Sequence, residues 1–387
     1  MRRTATLLTF LAAAAPAAAH HTGTPPIVRL TLSGDTTLPR APAFGDTLAF
    51  APDSGPNIYS LHLFSRPTIL MLVSAGGNSA NPSAAIARSV AFDSDGNPLG
   101  SNDPGRQIFV RDGGLLEQLT HDPSGTSANP AVNLRGNRVG FESAGNLAGQ
   151  NGSGALQVYF QNGDGSVVQL SRGQGTSRNV SLSRSGGTIA FESTSDPVTG
   201  LDTGVSQIWL STMDPTTSHP ITAGCGPSRN PSVSDEGRFV VFESDADLAM
   251  GGADTGVPQV FAYDTRTGDY AQVTQEPDGC TAPMSRRHGG DFRVVFTCGS
   301  EGVRQGFYHY LRADRRYRLP ISEGDTNRAV TGMGYYFVAV STTADLIAGT
   351  GTTSGHQLYM LNLYKRPAQL VSGNAIWFPE RGLRPLH

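Results

Sequence analysis

The sequence is poor in charge, in lysine and in long apolar runs. Charged residues make up 16% of the 387 positions, Lys365 is the single lysine, and the formal net charge is −3. Globular chains usually carry about a quarter charged residues, and nucleic-acid-binding domains carry a basic excess, so we expect no nucleic acid as a partner. After residues 1–19, no segment reaches the roughly 18 apolar residues of a membrane-spanning helix. We therefore expect no membrane insertion of the chain from residue 20 onwards.

The motifs of several enzyme and metal-binding classes are also missing. The sequence has no Gly-x-Ser-x-Gly nucleophile elbow, no phosphate-binding loop and no His-x-x-x-His pair. We therefore expect no cofactor and assign no catalytic and no metal-binding residue. The segment Asp93-Ser-Asp-Gly-Asn97 has the alternating oxygen ligands of a calcium loop, but Pro98 and Pro104 stand where that loop needs Gly and Glu. A structural calcium ion stays open here, with an ordinary turn favoured.

Residues 1–19 have the pattern of a secretory signal peptide. Arg2 and Arg3 precede a short apolar stretch, and Ala17-x-Ala19 is a small-residue cleavage site. The stretch is too short to span a bilayer. We expect export to the periplasm or to the outside of the cell.

Glycine and proline are abundant, and they separate the segments of a repeat. The 47 Gly and 25 Pro indicate many turns and favour an all-β fold. A glutamine followed by a hydrophobic and usually an aromatic residue recurs every 46 to 52 residues. These anchors are Gln107, Gln157, Gln207, Gln259, Gln305 and Gln357, with Asn57 as a degenerate first copy. A period of about fifty residues is typical of four-stranded propeller blades.

Each repeat contains four β segments. A short first segment precedes a β-branched and aromatic run such as Val240-Val-Phe-Glu-Ser244; the glutamine anchor and a segment ending in Ser or Thr follow. The units are 40–73, 81–120, 129–171, 179–222, 230–274, 281–322 and 327–372. Because both faces of each sheet are apolar, the sheets must stack and the ring must close. We expect an all-β propeller over residues 40–372, with seven four-stranded blades favoured and six or eight left open.

Two segments outside the repeats are candidate closing strands. Ile27–Ser33, within the N-terminal segment 20–39, reads as one more outer strand. Residues 374–378, within the tail 373–387, read as one more inner strand. Either would help to fasten the ring.

The unit Asn230–Leu248, followed by Gln259–Gly268, resembles the WD40-like propeller repeat of TolB-type proteins. The resemblance extends over residues 40–372. It implies a β-propeller of an exported bacterial protein, and for function it implies only a recognition scaffold. TolB proteins have a further N-terminal α/β domain, for which we expect no room before the first repeat, so their role at the cell envelope is not carried over.

The three cysteines are Cys225, Cys280 and Cys298. Cys280 and Cys298 are equidistant from Gly289, the centre of a predicted hairpin turn, which places them opposite each other in antiparallel strands. We predict a disulfide between these two residues. A bridge between Cys225 and Cys280, and three separate thiols, are the alternatives.

The connection from the second to the third segment is long in most units. These connections are 94–106, 143–156, 193–206, 244–258 and 341–356. In a propeller they open on the same face as the connections between blades, and we call this the long-loop face. Loops on a rigid scaffold concentrate binding residues; variable excursions without a function are the alternative.

Two sets of charged residues are candidate site residues. Arg178 and Arg229, at equivalent positions near the expected central channel, could bind an anion; solvated or blade-bridging arginine is the alternative. The carboxylates Glu142, Glu192 and Glu243 also recur. Glycosidases need a carboxylate pair, but a residue repeated in every unit more often serves blade architecture.

We predict a non-enzymatic, monomeric scaffold that binds a protein, peptide or polysaccharide through the long-loop face. A glycan hydrolase or lyase is the alternative. Unpaired carboxylates that converge in a central pocket would favour the enzyme, and a lining of Ser, Asn, Gly and Ala would favour the scaffold.

Overall fold

The computed structural model describes residues 27–29, 36–37, 47–52, 57–62, 69–73, 77–86, 89–248, 253–288, 291–319, 321, 324–331, 337–344, 346, 356–363, 369–371 and 376–377. The predicted signal peptide lies outside these residues. The regular structure is almost entirely β, with one short 3-10 helix at Pro215–Thr217 in the described chain. No helix among the described residues is long and apolar enough to cross a membrane.

The described strands form seven sheets, named S1 to S7 in chain order. The chain begins with β1 (Ile27–Arg29). S1 contains β2 (Thr36–Thr37), β3 (Thr47–Pro52), β4 (Tyr59–His62) and β5 (Ile69–Leu72). S2 contains β6 (Ser79–Ala84), β7 (Ser89–Ser94), β8 (Gln107–Asp112) and β9 (Leu115–Gln118). S3 contains β10 (Ala128–Val132), β11 (Val139–Ser143), β12 (Gln157–Gln161) and β13 (Val167–Gln169).

The same order of strands continues in the second half. S4 contains β14 (Ser177–Leu182), β15 (Ile189–Ser195), β16 (Asp202–Ser211) and β17 (His219–Pro220). S5 contains β18 (Ser228–Val233), β19 (Phe239–Asp247), β20 (Ala253–Asp264) and β21 (Tyr270–Gln272). S6 contains β22 (Cys280–His288), β23 (Asp291–Cys298), β24 (Gln305–Tyr310) and β25 (Arg315–Arg318). S7 contains β26 (Thr326–Thr331), β27 (Phe337–Thr342) and β28 (Gln357–Asn362). The last strands are β29 (Gln369–Val371) and β30 (Ile376–Trp377).

Neighbouring sheets pack face to face, and the last sheet packs on the first. In S5, Val241 packs towards S6 while Val240 and Phe242 pack towards S4, as alternation along a strand requires. The cluster at the other end joins Leu48 and Phe50 of S1 to S7. The ring is therefore closed, and the fold is an all-β propeller whose core lies between the sheets.

The two chain ends are fastened at different places. β1 pairs antiparallel with β28 and is the outer, fourth strand of S7. Ala368–Ser372, expected as that fourth strand, instead contributes β29 to the outer edge of S6, where it pairs with β25. β30, expected as an inner strand, pairs with β21 at the outer edge of S5. Because β1 already occupies the edge of β28, the C-terminal strands can pair only with edges that are still open.

The glutamine anchor of the repeat ties each third strand to the connection that leads to the next sheet. The Oε1 atom of Gln107 accepts from Thr120 Oγ1 at 2.9 Å and from the Asp122 backbone N–H at 2.9 Å. Its Nε2 donates to the Asp122 carbonyl at 2.8 Å. Ser171, Thr222 and Thr274 donate in the same way to the anchors of S3, S4 and S5. Buried polar groups need such partners, which explains why Gln and Ser or Thr recur together.

Two of the expected long connections are partly strand. β15 and β16 pair as far as Ser195 and Asp202, and β19 and β20 pair as far as Asp247 and Ala253. In each pair the ladder continues past a register shift, because a β-bulge absorbs the extra residue. The connections of S4 and S5 are therefore extended hairpins on the long-loop face.

Candidate functional site

The inner strands share one strained backbone position. Asn81, Asn129, Asn179 and Asn230, which we call the asparagine ring, have φ of 48°, 51°, 57° and 52°. Each lies at a register shift between the first and second strands of S2 to S5. Asparagine tolerates the left-handed region better than most residues. Ala282 takes this position in S6, with φ 53°, and in S7 the register shift lies between Thr326 and Arg328.

A buried carboxylate on each second strand bonds the ring residue of the next sheet. Asp93, Glu142, Glu192 and Glu243 are each at most 5% exposed. They accept the backbone N–H groups of the next sheet's ring-position residue, namely Asn129 at 2.9 Å, Asn179 at 2.6 Å, Asn230 at 2.7 Å and Ala282 at 2.9 Å. The recurring carboxylates therefore join successive sheets.

The second oxygen of each carboxylate is also engaged. Glu142 Oε2 accepts from Asn129 Nδ2 at 2.9 Å, and Glu243 Oε1 accepts from Asn230 Nδ2 at 2.6 Å. Burial, and to a lesser extent the charge of Glu192, raises the pKa of Glu243. Within the described chain these carboxylates hold the sheets together and do not converge in the cavity, which counts against their use in catalysis.

The central cavity has a mixed lining, in which apolar residues outnumber polar ones and one described residue is charged. It contains about 660 Å³ of space, part of it open to solvent. The residues that line it are Asn81, Pro82, Asn129, Pro130, Ala131, Val132, Asn179, Val180, Ser181, Leu182, Asn230, Pro231, Pro283 and Arg328. They come from the inner strands of six sheets, S2 to S7, and Arg328 is the charged member of the described lining. This lining only partly matches the Ser, Asn, Gly and Ala expected for a scaffold, and it contains no carboxylate among the described residues.

The two candidate anion-binding arginines each lie beside a carboxylate. Arg178 Nε donates to Glu192 Oε1 at 2.6 Å, and its side chain is 51% exposed. Arg229 lies 3.5 Å from Asp245 and is 37% exposed. Neither is among the residues that line the cavity. Their charges are offset by these partners, which weakens them as an anion site.

The calcium-like segment Asp93–Asn97 is occupied by contacts within the protein. Asp93 forms an ion pair with Arg106 and accepts from Asn81 Nδ2 at 2.8 Å. Asp95 accepts from the backbone and side-chain nitrogens of Asn78, which lowers its pKa. Among the described residues, no group of three or more His, Cys, Asp or Glu side chains is arranged to hold a metal ion.

Cys280 and Cys298 form a disulfide, at register partners of β22 and β23. The neighbouring sheets place two hydroxyls at this position, such as Ser228 and Ser244 at 2.9 Å. Cys225 is an exposed thiol in the connection between S4 and S5.

The long-loop face carries most of the exposed large apolar side chains of the described chain. Leu99, Val198, Leu201 and Val303 lie in connections between second and third strands and are 50%, 46%, 70% and 64% exposed. Two others, Leu72 and Leu115, lie on outer strands. The apolar tips belong to S2, S4 and S6, so they are spaced around the ring.

A His–Asp pair on the same face escaped the sequence analysis. His121 Nδ1 is 2.7 Å from Asp103 Oδ2, and the imidazole is 66% exposed. The hydrogen bond from His121 lowers the pKa of Asp103. Gln118 Nε2 also donates to Asp103 at 2.8 Å. The residues are 18 positions apart on two different connections, and no spacing rule would have joined them.

Comparisons with known proteins identify the fold. No family model and no curated protein sequence matches the chain. An oligogalacturonate lyase in complex with manganese is 12% identical, with a TM-score of 0.59 over 87% of this chain and 92% of that one. The β-propeller domain of the Trilobed protease from Pyrococcus furiosus is 10% identical, with a TM-score of 0.56 over 88% of this chain and 98% of that one.

TolB-type propellers are also among the similar structures. TolB from Acinetobacter baumannii is 12% identical, with a TM-score of 0.42 over 89% of this chain and 81% of that one. The two structures with TM-scores above 0.5 show a shared propeller fold, and at these identities they show nothing about the ligand.

Proposed function

We propose that this chain is an exported, non-enzymatic β-propeller scaffold that recognises a protein, peptide or polysaccharide through its long-loop face. The observation that carries the proposal is the exposure of Leu99, Leu201 and Val303 on connections of that one face. When a partner covers apolar side chains that a rigid frame holds in water, the free energy of the complex falls. The signal-peptide pattern of residues 1–19 supports export.

The proposal includes seven blades and a monomer. We count each sheet as one blade and include S1, although its first strand, β2, has only two residues. The closed ring leaves the apolar faces of the sheets covered by their neighbours within one chain.

The test compares two sets of exposed apolar residues. Leu99→Ser/Leu201→Ser/Val303→Ser alters the long-loop face, and Leu72→Ser/Leu115→Ser alters outer strands of comparable exposure. Immobilised mature protein is exposed to envelope and secreted extracts and to a glycan array. We expect a species that binds wild type and the outer-strand variant and is lost from the long-loop variant. Binding that is lost only from the outer-strand variant, or no binding by folded protein, would overturn the proposal.

The second candidate function is a glycan hydrolase or lyase, and the observation that favours it is the His121–Asp103 pair. A carboxylate that orients an exposed imidazole is a common arrangement for a general base. Oligogalacturonate is a suitable first substrate, since a protein of this fold is named for its cleavage. Cleavage by the wild type that is lost in His121→Ala would establish this candidate. If neither the wild type nor the variant cleaves oligogalacturonate, the candidate is dismissed for that substrate.

A further inference from the structure

The amides of the asparagine ring have an orientation that their partners fix. Asn81 Nδ2 donates to Asp93 at 2.8 Å, and Asn129 Nδ2 donates to Glu142 at 2.9 Å. An ionised carboxylate only accepts hydrogen bonds, so the nitrogen of each amide must face it. The carbonyl oxygen is on the other branch of the same planar group. Both residues line the cavity, and we infer that their Oδ1 atoms, on the branch away from the carboxylate, are turned towards it.

The same chain of bonds leaves a third oxygen open. Asn230 Nδ2 donates to Glu243 at 2.6 Å, and Asn179 Nδ2 donates to Asn230 Oδ1 at 3.2 Å. The oxygen of Asn230 is thus used, whereas Oδ1 of Asn81, Asn129 and Asn179 accepts no hydrogen bond from the described part of the chain. These three oxygens come from the adjacent sheets S2, S3 and S4. We call them the acceptor wall.

Negative charge lies behind the acceptor wall, and one positive charge lies in another part of the ring. Asp93 and Glu192 each pair with an arginine. Glu142 and Glu243 accept instead from amide and backbone groups at the distances given above. Arg328, on the inner strand of S7, lines the same cavity. A ligand at the wall therefore meets acceptor oxygens, with buried carboxylates behind them, and a guanidinium elsewhere in the cavity.

We propose that the acceptor wall is a binding site for a primary ammonium group. An ammonium carries three donors and no acceptor, and the wall offers three acceptors from three neighbouring sheets. Pro82, Pro130 and Val180 line the same cavity and provide apolar contact for an aliphatic stem. A lysine side chain and a free amino terminus share this chemistry. The site needs no partner on the long-loop face. Failure of the scaffold proposal would therefore not contradict the ammonium site, and failure of the ammonium site would not contradict the scaffold proposal.

The first experiment uses small probes on the folded mature protein. Asparagine side-chain amide signals are followed by NMR in protein labelled with nitrogen-15 at asparagine. The probes are n-butylamine, protonated at pH 7, and two matched compounds: uncharged n-butanol, and tetramethylammonium, which has charge but no donor. We expect n-butylamine to shift the signals of Asn81, Asn129 and Asn179 with a dissociation constant of about a millimolar, while Asn151, a buried asparagine outside the cavity lining, stays unchanged.

The second experiment removes single carbonyls without disturbing the backbone. Glycine accepts a positive φ, so Asn129→Gly and Asn179→Gly keep the backbone bonds to Asp93 and Glu142. Each should weaken n-butylamine binding about tenfold or more, the contribution of one hydrogen bond to a charged group. Asn102→Gly is the matched control, because Asn102 also has a positive φ, of 59°, and does not line the cavity, and it should change binding less than twofold. Arg328→Ala should tighten binding, because it removes a like charge from the cavity.

The results separate the ammonium site from its alternatives. Shifts by n-butylamine that the two glycine variants weaken and Arg328→Ala strengthens support the proposal. Equal binding of n-butanol, weaker binding after Arg328→Ala, or no shift by n-butylamine would overturn it. Nα-acetyl-lysine methylamide and glycine methylamide then distinguish a lysine side chain from an amino terminus as the source, and binding of either supports the site.

Discussion

Cys280 faces Cys298 across β22 and β23 at the register position where the neighbouring sheets pair two hydroxyls. Ser79 and Ser94 are 3.0 Å apart there in S2, and Ser177 and Ser193 are 2.8 Å apart in S4. The disulfide thus replaces a hydrogen bond that the propeller uses elsewhere.

The double variant Cys280→Ser/Cys298→Ser should therefore fold, with a hydroxyl pair in place of the disulfide. We expect its free energy of unfolding to fall by about 2 kcal/mol in oxidising buffer, since closing a short loop contributes about 3 kcal/mol and a hydrogen bond returns about 1 kcal/mol. Urea unfolding measures the difference. Cys225→Ser is the control and should leave stability unchanged. A double variant that does not fold would contradict the prediction that a hydroxyl pair can replace the disulfide. A double variant as stable as oxidised wild type would contradict the predicted loss of stability.

Glu142→Gln should destabilise the ring without altering its surface. The Asn179 N–H and Asn129 Nδ2 each donate to one oxygen of Glu142. In the glutamine variant one of these oxygens becomes the Nε2 group, which is also a donor, so one of the two hydrogen bonds is lost. We expect a loss of about 2 kcal/mol in the free energy of unfolding, as for a buried donor left without its acceptor. Glu117→Gln, on an exposed position of β9, is the matched control. Equal stability of the two variants would show that the link between sheets contributes nothing.

Ala282→Gly should stabilise the protein, against the usual effect of glycine in a strand. Ala282 has φ 53°, and the left-handed region costs an L-residue roughly 1–2 kcal/mol. Relief of that cost should exceed the added freedom of the unfolded chain and leave a gain of about 1 kcal/mol. Ala80→Gly, on the inner strand of S2 and outside the left-handed region, should instead lower stability. Thermal unfolding of both variants tests the sign.

His309 should make the protein sensitive to mild acid. The residue is fully buried, and burial, with a further contribution from the charge of Arg316, lowers its pKa from 6.5 to about 4. Between these values the unfolded chain binds a proton that the folded protein does not, so wild type loses stability as the pH falls from 6.5 to 4. The full loss is about 3 kcal/mol.

His309→Phe should remove this component of the pH dependence. The difference in free energy of unfolding between the variant and wild type should be constant above neutral pH and should grow in favour of the variant as the pH falls towards 4. Urea titrations from pH 4 to 8 measure it. A difference that does not change with pH would mean that His309 has the same pKa in the folded and in the unfolded protein.

The sequence predicts the propeller because the repeat records contacts within one sheet. Gln107 on β8 bonds Thr120 just after β9, and the equivalent pairs in S3, S4 and S5 are 14 or 15 positions apart. The disulfide partners are related in the same local way, by a hairpin centre. Contacts within one unit therefore appear in the sequence as residue types that recur with the period of the repeat, and they can be predicted without a structure.

The partners in contacts between units cannot be assigned from the repeat in this way, although the residues involved recur. The bond from Glu142 to the Asn179 N–H spans 37 positions and depends on a left-handed backbone that the letters Asn-Val do not reveal. The orientation of the ring amides, and hence the acceptor wall, follows only from those bonds. Ala368–Ser372 resembles every other fourth strand, and only the competing position of β1 shows that it must pair elsewhere.

The pairing of β1 with β28 has a consequence for the order in which the ring can fold. The first strand to leave the ribosome or a translocation pore can find its partner only after nearly the whole chain has followed, because Ile27 is opposite Leu361. Closing so long a loop is slow compared with forming a single hairpin. Until β28 appears, S7 lacks its outer strand and the ring is an open arc. A chain that ends before β28 therefore cannot form this pairing between its first strand and the last sheet.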